Sequence, residues 1–249
     1  MPEGREDPSL VASFCDWWKD QRRALSAWDT LRRLTGELWE FVRDSTPERR
    51  RQRYGDVEFD WDRRVNTTSA AVGWRDRLLG VFHSVYQPTE PAAFREMLES
   101  LQIDFRDYTF IDLGSGKGRT LLMASEYPFR RILGIELLPE LNRIAEDNIR
   151  VYRSDSQRCF AVGSQCADAR DFVFPPDPIV VYLFNPLFES ALEQVMSNLA
   201  RALRETPREA FVLYHNPLLA HVIEHEPGWV KLAGNPQYAV YRFSPRRAS

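Results

Sequence analysis

The residues best suited to chemistry form one run, Phe110-Ile111-Asp112-Leu113-Gly114-Ser115-Gly116-Lys117-Gly118, together with an acid further on, Glu136. An apolar, strand-like segment leaves through three glycines at alternate positions and enters a helical pattern. Glycine is the residue type required where a ligand must approach the backbone with no Cβ in the way, and where a turn needs positive φ. Glu136 follows Gly118 by eighteen positions, close to the roughly 20-residue offset at which an acid receives ribose hydroxyls in strand-helix-strand nucleotide sites. The pattern predicts a nucleotide-like ligand.

Three ligands compete for such a loop. A triphosphate loop needs glycine five positions before Gly116 and Ser or Thr directly after Lys117, where this chain has Ile111 and Gly118. A dinucleotide loop needs its third glycine at the position of Arg119, one residue later than Gly118. Asp112 adds a carboxylate at the strand end, which repels a pyrophosphate and suits a cofactor carrying an ammonium and a sulfonium. S-adenosylmethionine fits best.

Asp112-x-Gly114-x-Gly116-x-Gly118 with Glu136 resembles the first two motifs of the class I S-adenosylmethionine-dependent methyltransferases. The resemblance implies that Asp112 and the backbone of Gly114, Ser115, Gly116 and Gly118 hold the methionine end, and that Glu136 holds the ribose. It places Asp168-Ala169 against the adenine amino group, with a plain loop cap as the competing reading of Asp168. Tyr86-Gln87-Pro88-Thr89, the glycine loop and Phe184-Asn185-Pro186-Leu187 occur in the order found in the histone-lysine methyltransferases that lack a SET domain, and in bacterial proteins of similar layout. That closer likeness spans about 86–217. It implies that Tyr86 and Thr89 belong to a segment closing over the methionine moiety, and that Asn185 faces the amine being methylated. The family's second asparagine is replaced by Phe184.

Asn185 is chemically suited to that task. Its side-chain oxygen can accept a hydrogen bond from an attacking amine and orient the lone pair toward the sulfonium methyl, with no strong base required. Asn185-Pro186-Leu187-Phe188 also comes within one residue of the N-P-P-[FY] signature of enzymes that methylate amino groups of nucleic-acid bases, Leu187 replacing the second proline. Asn216-Pro217 repeats the asparagine-proline pair after Tyr214 and His215, consistent both with an acceptor-pocket lining and with a turn. His221 and His225 share a helix spacing but lack an H-E-x-x-H context, so no metal is expected. No nucleophile elbow is present. The expected function is methyl transfer from S-adenosylmethionine to an amine, a protein lysine being one candidate. The alternatives are a nucleic-acid base, a small-molecule acceptor, or a non-catalytic cofactor-binding scaffold.

These residues need a scaffold, and the periodicity supplies one. Strands are expected at 109–113, 132–136, 160–162, 179–184, 210–214 and 238–243, and helices at 92–101, 118–127, 139–152, 189–203 and 218–225. Alternation of this kind predicts an α/β, Rossmann-like, doubly wound and mostly parallel sheet, seven-stranded by the family resemblance. Upstream, Asp7-Pro8 opens a helical stretch that runs to Thr46-Pro47, with an apolar stripe of Trp28, Leu31, Leu34, Leu38 and Phe41. The expected division is an N-terminal helical extension and linker at 1–65 and a methyltransferase domain at 66–249. Arg49, Arg50, Arg51 and Arg53, followed by Asp56, Glu58, Asp60 and Asp62, read as a solvated, self-neutralised segment.

The 249 residues carry 33 basic and 36 acidic side chains, a net charge of −3, which does not favour a nucleic-acid partner. Met1 to Pro8 is acidic and polar and no apolar run reaches membrane length, so neither a secretory signal nor a membrane span is expected, and the expected location is the cytoplasm. Cys15, Cys159 and Cys166 show no paired spacing and are expected to be reduced thiols.

Overall fold

The computed structural model describes residues 57–67, 89–184 and 187–244. The expected helices before Pro47, the basic cluster at 49–53, Tyr86 and Asn185 lie outside the described residues. The elements are α1 (Val57–Arg63), α2 (Pro91–Glu99), β1 (Thr109–Leu113), α3 (Arg119–Ala124), β2 (Arg131–Glu136), α4 (Pro139–Val151), β3 (Val162–Cys166), β4 (Ile179–Phe184), α5 (Glu189–Glu205), β5 (Ala210–His215), α6 (Ala220–His225), β6 (Trp229–Gly234) and β7 (Tyr238–Phe243). Short 3-10 turns occupy Phe105–Asp107 and Ala169–Asp171.

The sheet order is β3-β2-β1-β4-β5-β7-β6. Pairings among β3, β2, β1, β4 and β5 are parallel; β7 runs antiparallel to both β5 and β6. The fold is thus Rossmann-like with a mixed seven-stranded sheet. β1, β4 and β5 are buried almost throughout, which is why Thr-Phe-Ile-Asp-Leu and Ile-Val-Val-Tyr-Leu-Phe read as continuous runs: both faces of a parallel sheet are covered. One face packs Leu192, Val195, Leu199 and Leu203 of α5 with Val222 and Ile223 of α6. The other packs Phe94, Met97 and Leu98 of α2, Leu121 and Leu122 of α3, and Phe59 of α1. α5 and α2 present these residues at three- and four-residue steps, as an amphipathic helix on a sheet must.

Three expectations need correction. The strand expected at 160–162 forms at Val162–Cys166, and Phe160 is 79% exposed. β3 is a sheet edge, so its polar residues, Ser164 and Gln165, pair through the backbone without burying a hydrophobic face. The seventh strand, β6, had no assigned position: only Trp229 of its six residues is buried, leaving no alternation to detect. The acids at 56–62 are not uniformly solvated. Asp60, on α1, is 9% exposed; it accepts from the Thr67 amide at 2.7 Å and from the Thr67 hydroxyl, and lies 3.8 Å from the guanidinium of Arg119. Residues 57–67 therefore pack on the domain core. Among the described residues, no helix is long and apolar enough to cross a membrane.

Candidate active site

The C-terminal ends of β1, β2, β4 and β5 meet along one edge of the sheet, where ligands of open α/β sheets bind. β1 ends at Leu113, and the chain turns through Gly114, Gly116 and Gly118, with φ of 81°, 53° and 82°. Non-glycine residues rarely adopt this left-handed region. The turn is pinned to β2: Gly114 and Ser115 donate to the Ile135 carbonyl at 2.8 and 3.1 Å. Gly118 also admits the next helix, since a Cβ there would stand 3.1 Å from Ala145 Cβ.

Glu136, at the end of β2, is buried and uses both carboxylate oxygens on backbone. Oε2 accepts from Gly116 N at 2.7 Å and Oε1 from Leu138 N at 2.9 Å. Each oxygen has a second acceptor site, so the loop can be held while hydroxyls are received. Asp112 is 3% exposed and accepts from the Thr120 hydroxyl. Burial, with nearby Glu136 adding to it, pushes its carboxyl up to about 7 even against the Thr120 hydrogen bond. Among the described residues no cation pairs with it. A buried carboxylate beside a glycine cradle fits a ligand that brings its own ammonium.

The β4–β5 end of this edge carries a hydrogen-bonded chain. Thr89 Oγ1 lies 2.8 Å from the hydroxyl of Tyr182, which in turn lies 2.9 Å from His215 Nδ1. Register aligns Asp112 with Tyr182 and Phe184 with His215, so all four side chains lie on the same face of the sheet. The rings of Phe184 and His215 stack at 4.1 Å and 18°. Burial lowers the His215 pKa to about 4 and raises that of Tyr182 well above 10; at neutral pH both are uncharged. Asn185 and Pro186 follow Phe184 directly.

Asp168 and Ala169 lie after β3 as expected. Asp168 caps the 3-10 turn, accepting from Arg170 N at 2.9 Å, and its carboxylate meets the Arg170 guanidinium, with Nη2 at 2.7 Å. The capping geometry anticipated for Asp168 is therefore present. His221 Nε2 is 2.7 Å from Glu189 Oε1.

Two parts of this site escaped the sequence reading. Gly134, opposite Asp112 on β2, has no room for a side chain: a Cβ would stand 2.6 Å from Ser115 Oγ and 2.7 Å from Leu121 Cδ1. An isolated glycine inside a strand was the available signal. Behind the loop, Asn148 on α4 accepts from Asn66 N at 2.8 Å and donates to the carbonyls of Asn66 and Lys117, both at 2.9 Å. The fully buried Lys117 ammonium donates to Asn66 Oδ1 at 3.1 Å. These contacts fasten the segment ending at Thr67 to the back of the cofactor loop, and no motif spacing announces them.

A seven-stranded sheet with β7 reversed, a three-glycine turn after β1 and an acid closing β2 define a class I methyltransferase. The chain belongs to the family described as histone methylation protein DOT1, whose family model matches residues 80–208. It is a methyltransferase, and its cofactor is S-adenosylmethionine. None of the curated proteins matches the sequence. Solved structures to which the chain is similar include an RNA methyltransferase from Salinibacter ruber in complex with S-adenosyl-L-homocysteine, 21% identical, covering 66% of this chain and 97% of that one with a TM-score of 0.42. Precorrin-6y C5,15-methyltransferase from Geobacter metallireducens GS-15 is 16% identical over 63% of this chain and 88% of its own, with a TM-score of 0.46.

Proposed function

We propose that the chain methylates an amine of a protein substrate, with a lysine side chain as the acceptor. The observation that carries this reading is the composition of the sheet edge. Asp112 and the glycine loop stand on one side, and Phe184, leading directly into Asn185, stands on the other. The family's description as a histone methylation protein supports a protein acceptor, and the net charge of −3 argues against an acceptor held by phosphate contacts.

In this reading Asp112 receives the ammonium of the methionine moiety, the loop amides and Ser115 hold its other atoms, and Glu136 receives the ribose hydroxyls. Ala169, with Asp168, borders the adenine. Tyr86 and Thr89 close over the methionine end. S-adenosylmethionine, when bound, would supply an electrophilic methyl group on its sulfonium: the acceptor nitrogen's lone pair would form the N–C bond, the C–S pair would return to sulfur, and the product ammonium would lose a proton to solvent. Asn185 accepts a hydrogen bond from the acceptor nitrogen and aligns its lone pair, so orientation and exclusion of water provide the acceleration.

The test is label transfer from methyl-labelled cofactor to a fractionated cell extract, with the wild-type protein and with Asn185→Ala. Label recovered in protein as methyl-lysine, and lost in the variant, is the expected result. Label in nucleic acid or in a low-mass fraction refutes the protein acceptor, and label that persists in Asn185→Ala refutes the role of that asparagine.

A further inference from the structure

Among the described residues, His215 is a polar side chain at the β4–β5 end of this edge to which the proposed function assigns no task. Its ring is fixed on two sides. Phe184 covers one face at 4.1 Å, and Tyr182 engages Nδ1 at 2.9 Å. The ring is only partly buried, and the edge carrying Nε2 is the polar part left over.

We propose that His215 is a second acceptor-side residue, whose Nε2 accepts a hydrogen bond from the nitrogen that receives the methyl group. The inference rests on the amine-methyltransferase reading and adds a residue to it. It requires Nδ1 to carry the ring proton, so that the chain of donors runs from His215 to Tyr182, from Tyr182 to Thr89, and from the Thr89 hydroxyl onward. A hydrogen-bonded chain polarises toward the negative charge at its end. Thr89 belongs to the segment assigned to the methionine moiety, whose carboxylate would draw the Thr89 proton and set that direction. The opposite end is then an unprotonated lone pair, the group that an ammonium or amine N–H needs. The burial that keeps the imidazole neutral keeps this lone pair available at physiological pH. The same chain links the segment holding Thr89 to the acceptor end of the sheet through a single buried phenol.

The test uses two cofactor analogues and needs no acceptor. S-adenosylhomocysteine lacks the methyl group, whereas sinefungin carries an amine-bearing carbon in place of the methylsulfonium and so projects an N–H donor toward the acceptor side. Calorimetric titration of the full chain should show tighter binding of sinefungin than of S-adenosylhomocysteine. In His215→Ala sinefungin should weaken by about tenfold or more, the effect of losing a hydrogen bond to a charged group, while S-adenosylhomocysteine stays within about twofold. His215→Gln, which keeps an acceptor oxygen, should recover part of the loss. Long-range proton–nitrogen spectra of the wild type with S-adenosylhomocysteine bound, assigned by difference from His215→Gln, should show the Nδ1–H tautomer.

Equal loss of both ligands in His215→Ala, with no recovery in His215→Gln, would make His215 a packing residue and overturn the inference. An Nε2–H tautomer would overturn it independently of whether any variant folds. A wild-type protein that binds neither analogue would refute the cofactor reading itself, and the inference would fall with it.

Discussion

Asp112→Asn should make the ligand-free protein more stable and weaken its hold on the cofactor. Asp112 is almost wholly buried, and burial is the main reason its carboxyl is held at about 7 in place of 3.8. The folded-state value is raised, so the sign is fixed. The Asp112 contribution to stability is full below pH 3.8, falls as pH rises, and levels off above 7. At pH 8 the buried charge costs about 4 kcal/mol relative to the neutral form. Asparagine has nearly the same shape, carries no charge, and its carbonyl oxygen can still accept from Thr120. The variant should therefore melt higher than wild type at pH 8, by on the order of 10 °C, and the gap should close as pH approaches 4. Titration with S-adenosylmethionine should show affinity reduced by about 100-fold or more, because the ligand ammonium meets a neutral amide. For the wild type, affinity should drop about tenfold for each pH unit below 7 as the carboxylate is protonated. A variant that melts lower at pH 8, or a stability gap that does not change with pH, would refute the idea that Asp112 is a strained charge kept for a ligand.

Gly134→Ala would drive a methyl into Ser115 Oγ at 2.6 Å; it should destabilise by roughly 1–3 kcal/mol and weaken cofactor binding, read by thermal melting and calorimetry. Glu136→Ala leaves the Gly116 and Leu138 amides without their carboxylate, and cofactor affinity should fall by about 100-fold with a smaller fall in melting temperature. Asn148→Ala removes three hydrogen bonds between α4, Asn66 and Lys117, costing about 2–4 kcal/mol. Limited proteolysis should then cut near residues 57–67 faster than in wild type, and unchanged cleavage would show that these bonds do not hold that segment.

Legibility from sequence followed burial. β1, β2, β4, β5 and β7 carry apolar residues on both or most sides, so their runs located them nearly to the residue. β3 and β6 are sheet edges whose pairing is made by backbone, and side-chain patterns report backbone pairing poorly. α1 was hidden for an electrostatic reason: Asp60 and Arg119 neutralise each other only in three dimensions, with the Arg119 guanidinium also 4.4 Å from the Phe59 ring centroid. At the candidate site, Asp112, the glycines and Glu136 stood out in the sequence because a strand, glycine turn, helix and strand in succession leave a local pattern of residue type and spacing. Asn148 and the Thr89–Tyr182–His215 chain act across elements far apart in sequence, where no local spacing rule applies, whereas Gly134 left only the weak signal of a lone glycine in a strand.

The central claim is that the loop after β1 takes S-adenosylmethionine and not a phosphate cofactor. Calorimetric titration of the folded wild-type protein at pH 7.5 with S-adenosylmethionine, ATP and NAD in turn tests it most directly. The account predicts one S-adenosylmethionine bound per chain and no heat above dilution from the other two. Binding of ATP or NAD with no response to S-adenosylmethionine would contradict it.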